Sequence, residues 1–245
     1  MWLRVRIHGP RRNDNRCGAG AVGSQKSNDS CARFQSPLTV YPNDNDGSVV
    51  RVRPAAANGS FPSSPVDDAR WLLSRDDGRS PGKQIGHGNR TGTITITSPK
   101  LGHSVSDTAI QHMLQQEIST NPAVPHPTPN TLYFVYLPPG VRVVQGGSAS
   151  CQAFCGYHND ISGQIFYAAM PYPGCSGCLG GLLGIDALTS TSSHELCEAI
   201  TDAIPGQGWY DDANGEIGDI CAWKTKKVGQ YTVQLEWSNK ANKCV

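Results

Sequence analysis

The chain has 245 residues, enough for one large or two small domains, and a formal net charge of +1. This near-neutral charge argues against a dedicated nucleic-acid binder, and the absence of any run of 18 apolar residues excludes a membrane span. The 27 glycines and 17 prolines, with only 17% charged residues, indicate a loop-rich fold that contains β-structure rather than a helical bundle.

The first 62 residues differ in composition from the rest of the chain. They are rich in Arg, Asn, Asp, Gly and Ser and have little hydrophobic periodicity, which predicts a disordered or poorly packed leader. No apolar signal-like stretch occurs in the first 30 residues, so we expect any export signal to lie upstream of Met1. Ser64 and Pro65 suit the start of a helix, and residues 63–245 are therefore predicted to form a single domain.

The following elements alternate between strands and helices. Residues 92–97 alternate with a period of two, which predicts a strand. An apolar stripe from Ser106 to about Ser119 predicts a helix that ends at the Asn-Pro pair. The order of elements predicts an α+β fold, in which helices pack on a mixed β-sheet. Its other strands are expected at two neighbouring buried runs and near the C-terminus, in residues 131–137, 165–170 and 231–237.

Nine cysteines are many for a chain of this size, and six of them lie in the C-terminal half in closely spaced or bracketing positions. Paired thiols at these spacings are typical of a structural zinc site or of disulfides that staple adjacent loops. The sequons at Asn28, Asn58 and Asn89 favour disulfides in an extracellular protein. Cys197 is expected to be a buried free thiol. The six candidates for pairing are Cys151, Cys155, Cys175, Cys178, Cys221 and Cys244.

The pattern H-E-x-x-E at residues 194–198 is the strongest chemical signal in the chain. His194 and Glu198 are four residues apart, so both side chains project from one face of a helix. Glu195 stands where the zincin motif H-E-x-x-H has its general base. The pattern predicts a zincin-like helix in which Glu198 replaces the second histidine as a zinc ligand. The alternative is an ordinary amphipathic helix, and in either case the hydroxyl residues 189–193 are expected to cap it.

A further zinc ligand is expected from the acidic loop that follows. Catalytic zinc usually has three protein ligands and a water molecule. Glu216 and Asp219 are the preferred donors, because a disulfide from Cys221 would hold their loop rigid. Asp202 suits a cap or turn role at the end of the helix.

Two alternatives concern the same region. The loop also offers Asp211, Asp212 and Asn214, so a calcium site is the second interpretation of its oxygen donors, although the spacing does not match an EF-hand. His158 is a metal ligand or a substrate contact in one interpretation. In the other and more common one it is a hydrogen-bonded surface residue beside a disulfide.

Five segments of the chain form a recognisable set, namely NTLYFVYLPPG (130–140), FCGYH (154–158), PGCSGC (173–178), SHELCEAITD (193–202) and GEIGDIC (215–221). Together they resemble a group of secreted microbial proteins distantly related to the plant EXORDIUM (phosphate-induced) family. The resemblance covers roughly residues 65–245 and implies an extracellular protein with paired disulfides. The microbial proteins carry a pattern H-E-x-x-E-x-x-x-D that looks like a metallopeptidase helix, whereas the plant proteins lack the His-Glu pair.

These features predict a secreted, monomeric, zinc-dependent peptidase-like protein that acts on a peptide or cell-wall substrate. Glu195 would activate water on a metal that His194 and Glu198 hold with the acidic loop. The alternative is a non-catalytic extracellular protein of the EXORDIUM type that interacts with the cell wall or with carbohydrate. Its acidic loop would then bind calcium or no ion.

Overall fold

The computed structural model describes residues 50–52, 90–97 and 101–245, which form an α+β fold. Within these ranges the helices are α1 (Asp107–Thr120), α2 (Ser176–Leu179) and α3 (Gly184–Thr201), with a short 3-10 helix at Asp219–Cys221. The strands are β1 (Val50–Val52), β2 (Ile94–Ile96), β3 (Ser104–Ser106), β4 (Leu132–Tyr136), β5 (Arg142–Gln145), β6 (Ser148–Ala149), β7 (Tyr157–Ile161), β8 (Ile165–Met170), β9 (Thr225–Val228), β10 (Tyr231–Gln234), β11 (Trp237–Ser238) and β12 (Lys243–Cys244).

A mixed three-stranded sheet forms the centre of the fold. Strand β4 pairs in parallel with β8, and β7 pairs antiparallel with the other edge of β8. Every residue of β4 is buried, as expected of a strand that is covered on both faces. The predicted mixed sheet and the pairing of its two apolar runs are therefore confirmed. Helix α3 packs against β7 and β8 and so places its inward face beside this sheet.

Helix α1 begins where the sequence predicts. The Ser106 hydroxyl accepts a hydrogen bond from the backbone nitrogen of Ala109 at 3.2 Å and so satisfies one of the free donors of the first turn. Asp107 Oδ1 accepts hydrogen bonds from the hydroxyls of Tyr157 and Tyr167, at 2.6 and 2.5 Å. These bonds attach the start of α1 to the two neighbouring strands β7 and β8.

Three disulfides staple the loops around the sheet. Cys151 pairs with Cys175, Cys155 with Cys178, and Cys221 with Cys244, so the prediction of disulfides rather than a thiolate zinc site is confirmed. The second bridge joins the residue before Gly156 to α2, and the third joins the 3-10 helix to β12. Cys197 is buried and is the one free cysteine in the described part of the chain.

The prediction that residues 189–193 cap the third helix is wrong. Helix α3 begins at Gly184, and the hydroxyl residues lie inside it. Their side chains bond to backbone oxygens of the preceding turn, for example Ser192 Oγ to Leu188 O at 2.7 Å and Ser193 Oγ to Ser190 O at 2.8 Å. A helix tolerates such residues in its interior because these bonds satisfy the hydroxyls without water.

The C-terminal strand carries a polar face along α3. Strand β10 ends at Gln234, earlier than the predicted 231–237, and pairs with β9, which the sequence analysis did not predict. Two strand residues advance about 6.7 Å and four helix residues about 6 Å, so alternate strand residues stay level with every fourth helix residue. The buried polar residues Thr232, Gln234 and Glu236 thus lie beside Thr189, Ser193 and Cys197.

Two predictions concern residues that the structure describes only in part. Strand β1 lies within residues 1–62 and pairs antiparallel with β2. The rest of the predicted leader and the helix predicted to begin at Ser64 lie outside the described residues, so the domain division stays a prediction. None of the helices described here combines the length and the apolar character needed to cross a membrane.

Candidate metal centre

Helix α3 carries His194, Glu195 and Glu198 into the protein interior. Their exposed fractions are only 4%, 2% and 3%, although polar and charged side chains are usually exposed to water. His194 Nε2 lies 3.1 Å from Glu198 Oε2, as the four-residue spacing predicts. Glu198 Oε1 is buried and has no hydrogen-bond partner. The motif therefore forms a buried polar cluster with one carboxylate oxygen left unsatisfied.

Strand β10 determines which nitrogen of His194 carries the proton. The Gln234 side-chain nitrogen lies 2.8 Å from His194 Nδ1 and donates to the carbonyl oxygen of Gly218 at 2.9 Å. Because that carbonyl can only accept, the amide nitrogen must face it, and Nδ1 then acts as an acceptor. The proton of the neutral ring is consequently on Nε2, where it is shared with Glu198.

His158 joins the cluster from β7, and its description as a surface residue is wrong. Only 6% of the residue is exposed. Its Nδ1 lies 3.5 Å from Glu195 Oε2 and 3.8 Å from Glu198 Oε2, and its Nε2 lies 3.6 Å from Glu216 Oε1. Nε2 also lies 3.0 Å from the backbone oxygen of Asp202. The sequence signal was the histidine of the CGYH segment, but no helical spacing connects it to the motif.

The acidic loop covers the cluster and approaches it most closely at Gly218. A Cβ atom at that position would lie 2.5 Å from His194 Nδ1 and 2.9 Å from Glu198 Oε1, so any side chain there would displace the loop. Asp219 is half-buried, and its Oδ2 accepts a hydrogen bond from the backbone nitrogen of Glu216 at 3.2 Å. Glu216 turns towards His158 instead of His194.

Asp202 has the turn role expected for it. Its carboxylate accepts hydrogen bonds from the backbone nitrogens of Gly206 (2.6 Å), Gln207 (3.0 Å) and Gly208. These bonds hold the chain as it leaves α3, and they fix the Asp202 carbonyl that faces His158.

Two groups of side chains have the proximity that a metal ion requires. Apart from disulfide-bonded cysteines, the described residues contain two groups whose ligand atoms all lie within 4.8 Å of one another. They share Glu198, and neither contains Asp211 or Asp212. Asp211 Oδ1 is engaged in its own turn, where it accepts from the backbone nitrogens of Ala213 and Asn214. One group is His194, Glu198 and Asp219, and the other is His158, Glu195 and Glu198.

The cluster holds more carboxylates than histidines, and this shifts its pKa values. Burial by itself lowers the pKa of His158, but Glu216, Glu195 and Glu198 together outweigh it and raise the pKa to about 10. Burial raises the pKa of Glu216 to about 9, against the opposing effect of the histidine. Without a bound cation, His158 and Glu216 therefore retain protons at neutral pH.

A further buried carboxyl group, that of Glu236, interacts electrostatically with His194, and the sequence analysis did not assign it to the site. Glu236 is 1% exposed, and neither of its oxygens has a hydrogen-bond partner. Burial raises its pKa well above the ordinary value, although His194 opposes the shift. Alternation with Gln234 along the C-terminal strand was the signal that placed both on one face.

We expect the metal-free protein to lose stability as the pH rises from 6.5 to 9. The folded-state pKa values of His158 and Glu216 lie above their ordinary values of 6.5 and 4.5. The folded chain thus binds more protons than the unfolded chain in this range. For each extra proton bound, the free energy of unfolding falls by up to about 1.4 kcal/mol for every unit that the pH rises. Urea unfolding in the presence of a chelator measures this slope.

The Glu216→Gln variant is the control for the pH effect. It removes one of the groups whose pKa is raised in the folded chain, so the fall in stability between pH 6.5 and 9 should become less steep. A wild-type stability that rises or stays constant over that interval would contradict the electrostatics described for the cluster.

A small cavity lies against His194. Its volume is about 30 Å³, room for one or two water molecules, and Gln234 and Trp223 are among its lining residues. Trp223 is 41% exposed, so at least one lining residue of the cavity reaches the protein surface.

Comparison with family models, with curated proteins and with solved structures gives no match for this chain.

Proposed function

We propose that the protein is a zinc-dependent hydrolase of peptide bonds, with the metal held by His194 and Glu198 and by Asp219 from the acidic loop. The observation that carries the proposal is that ligand atoms of His194, Glu198 and Asp219 lie within 4.8 Å of one another, with His194 and Glu198 buried next to the carboxylate of Glu195. Buried carboxylates are costly unless a positive charge compensates them. A divalent cation would supply that charge.

The donor atoms fit zinc. Zinc binds imidazole nitrogen and carboxylate oxygen at about 2.0–2.2 Å, so two ligands of one tetrahedral ion lie about 3.3 Å apart. His194 Nε2 and Glu198 Oε2 are separated by 3.1 Å. The unpartnered Glu198 Oε1 offers a further oxygen. Calcium takes oxygen ligands only, and the imidazole nitrogens therefore favour zinc over the calcium alternative.

Binding requires a change at His194. Nε2 would have to release its proton, and Nδ1 would have to carry one, so the Gln234 amide would turn to present its oxygen. Zinc lowers the pKa of bound water and polarises a carbonyl group. Glu195, next to His194 in the same helix turn, would accept the proton of that water and deliver it to the leaving amine.

Metal content measured by elemental mass spectrometry tests the proposal. We expect about one zinc ion per chain in the wild type, and loss of that ion in the His194→Ala variant. The matched control is His112→Ala, because His112 is an exposed histidine on α1 and its removal should leave the zinc content unchanged. Peptide hydrolysis that a chelator abolishes and zinc restores is the expected activity.

Two results would contradict the proposal. Wild-type protein that binds no zinc under any loading condition would exclude the zinc centre. Stoichiometric zinc without hydrolysis of any peptide in a library would exclude the peptidase and support the non-catalytic cell-wall or carbohydrate-interacting protein of the EXORDIUM type. Calcium retained in both wild type and His194→Ala would favour an ion in the acidic loop.

We further propose that the protein works outside the cell as a monomer, on peptide or cell-wall substrates. Three disulfides are compatible with an extracellular protein, because such bridges persist in oxidising compartments. The resemblance of five segments to secreted microbial proteins supports the same location.

A further inference from the structure

The geometry around His158 points to a role that its position in the sequence does not reveal. We propose that His158 is itself a ligand of the metal, through Nδ1, so that the centre holds two imidazoles on either side of Glu198. This inference rests on the proposed zinc centre and puts His158 in the place of Asp219, so that three protein ligands leave one position of a tetrahedral zinc ion to water. It makes β7 part of the site.

The hydrogen bond of Nε2 leaves Nδ1 as the ligating atom. Nε2 lies 3.0 Å from the backbone oxygen of Asp202, which can only accept, so the ring proton is on Nε2. The Asp202 carbonyl is held in place because the Asp202 carboxylate binds three backbone nitrogens of the following turn. Histidines that bind metals commonly donate their other ring nitrogen to a backbone carbonyl in this way.

Nδ1 faces two carboxylate oxygens, and a bound cation would take the place of the proton that the ring carries in the metal-free protein. Its distances to Glu195 Oε2 and Glu198 Oε2 are 3.5 and 3.8 Å. Both exceed the 2.7–3.2 Å of a good N–H···O hydrogen bond, so a proton on Nδ1 does not close either gap. They are close to the roughly 3.3 Å that separates two ligands of one tetrahedral zinc ion. A cation between Nδ1 and Glu198 Oε2 satisfies both atoms, with Glu195 beside it as the proposed base.

Glu198 connects His158 to the rest of the proposed centre. Its Oε2 lies 3.1 Å from His194 Nε2 and 3.8 Å from His158 Nδ1, so Glu198 belongs to both groups of close ligand atoms. One ion on this carboxylate would bind both imidazoles when the two groups draw together around it. Its Oε1 is buried and has no hydrogen-bond partner, which is an independent indication that a cation binds at this carboxylate. Two histidines and a glutamate are a common set for catalytic zinc, and the H-E-x-x-E motif alone contains only one of the histidines.

X-ray absorption spectroscopy of the zinc-loaded wild type tests the inference without any variant. Outer-shell scattering is expected to fit two imidazoles, from His158 and His194, and one imidazole would overturn the inference. Competition with a chromophoric chelator gives the second readout. His158→Ala should weaken zinc binding by about 100-fold or more, whereas the matched control His103→Ala, at an exposed histidine, should not change it.

The outcomes separate this inference from the proposed function. Zinc that is lost in His194→Ala but bound with full affinity by a folded His158→Ala overturns the role of His158 and leaves the zinc centre standing. A wild type that binds no zinc overturns both. Circular dichroism of the metal-free His158→Ala variant shows whether it is folded. If it is not, the number of imidazoles bound to zinc in the wild type tests the role of His158.

Discussion

The Glu195→Gln variant is expected to keep its zinc and to hydrolyse peptides about 10²- to 10⁴-fold more slowly than the wild type. General acid–base catalysis contributes a factor of this size, and an amide cannot accept the proton of the attacking water. The substitution preserves shape at a site where only 2% of the residue is exposed, so the cluster should stay packed. Steady-state kinetics and metal analysis of the same preparation measure both effects.

The metal content of Glu195→Gln distinguishes two roles of this residue. Glu195 also belongs to the group formed with His158 and Glu198. Loss of activity with zinc retained indicates the general base, whereas loss of the zinc would show that Glu195 is a ligand. Glu117→Gln on α1 is the matched control and should leave both quantities unchanged. Unchanged hydrolysis by Glu195→Gln would contradict the proposed mechanism.

The Gly218→Ala variant is expected to disturb the centre through the close contact that its methyl group would make. Its Cβ would lie 2.5 Å from His194 Nδ1, and neither the buried helix nor the packed loop can move freely. We expect a loss of about 1–3 kcal/mol in unfolding free energy, typical of overpacking, and zinc binding that is about 10- to 100-fold weaker. Urea unfolding and chelator competition measure the two changes.

The control for Gly218→Ala is Gly102→Ala, because a Cβ atom at Gly102 meets nothing within 4 Å. That variant should keep the wild-type stability and zinc affinity. A Gly218→Ala protein with wild-type stability would mean that the loop lies further from His194 and Glu198 than described here. The contact through Gln234 would then also need revision.

Local sequence patterns predicted those helices and strands that depend mainly on interactions between residues close together in the sequence. The unbroken apolar run of β4 indicated a strand that is covered on both faces, and Ser106 marked the start of α1 because an N-cap bonds within its own turn. The hydroxyl run at 189–193 misled the prediction because the same residues suit a cap and a buried helix interior. Only the strand packed against α3 distinguishes the two.

The candidate site also contains some residues that the sequence predicted and others that only the structure brought to it. Helical spacing alone placed His194, Glu195 and Glu198 on adjacent turns, and chain proximity brought Asp219 into consideration. Gln234 and Glu236 were not assigned to the site, and His158 was a metal ligand in only one of its two interpretations. Their contacts with α3 and with Asp202 at its end span 37 to 44 residues, and no local pattern encodes a distance of that kind.

The sequence by itself determined the buried strands β4 and β8, helix α1, the formation of disulfides by six cysteines and the three motif residues that share a helix, because each depends on a local pattern along the chain. The tertiary structure alone decided that this helix face is buried, that His158 and Gln234 orient around it, and that Gly218 closes the site. These contacts depend on which helices, strands and loops pack together. The sequence pattern of a single element does not specify its packing partners, and the burial of a polar cluster depends on them.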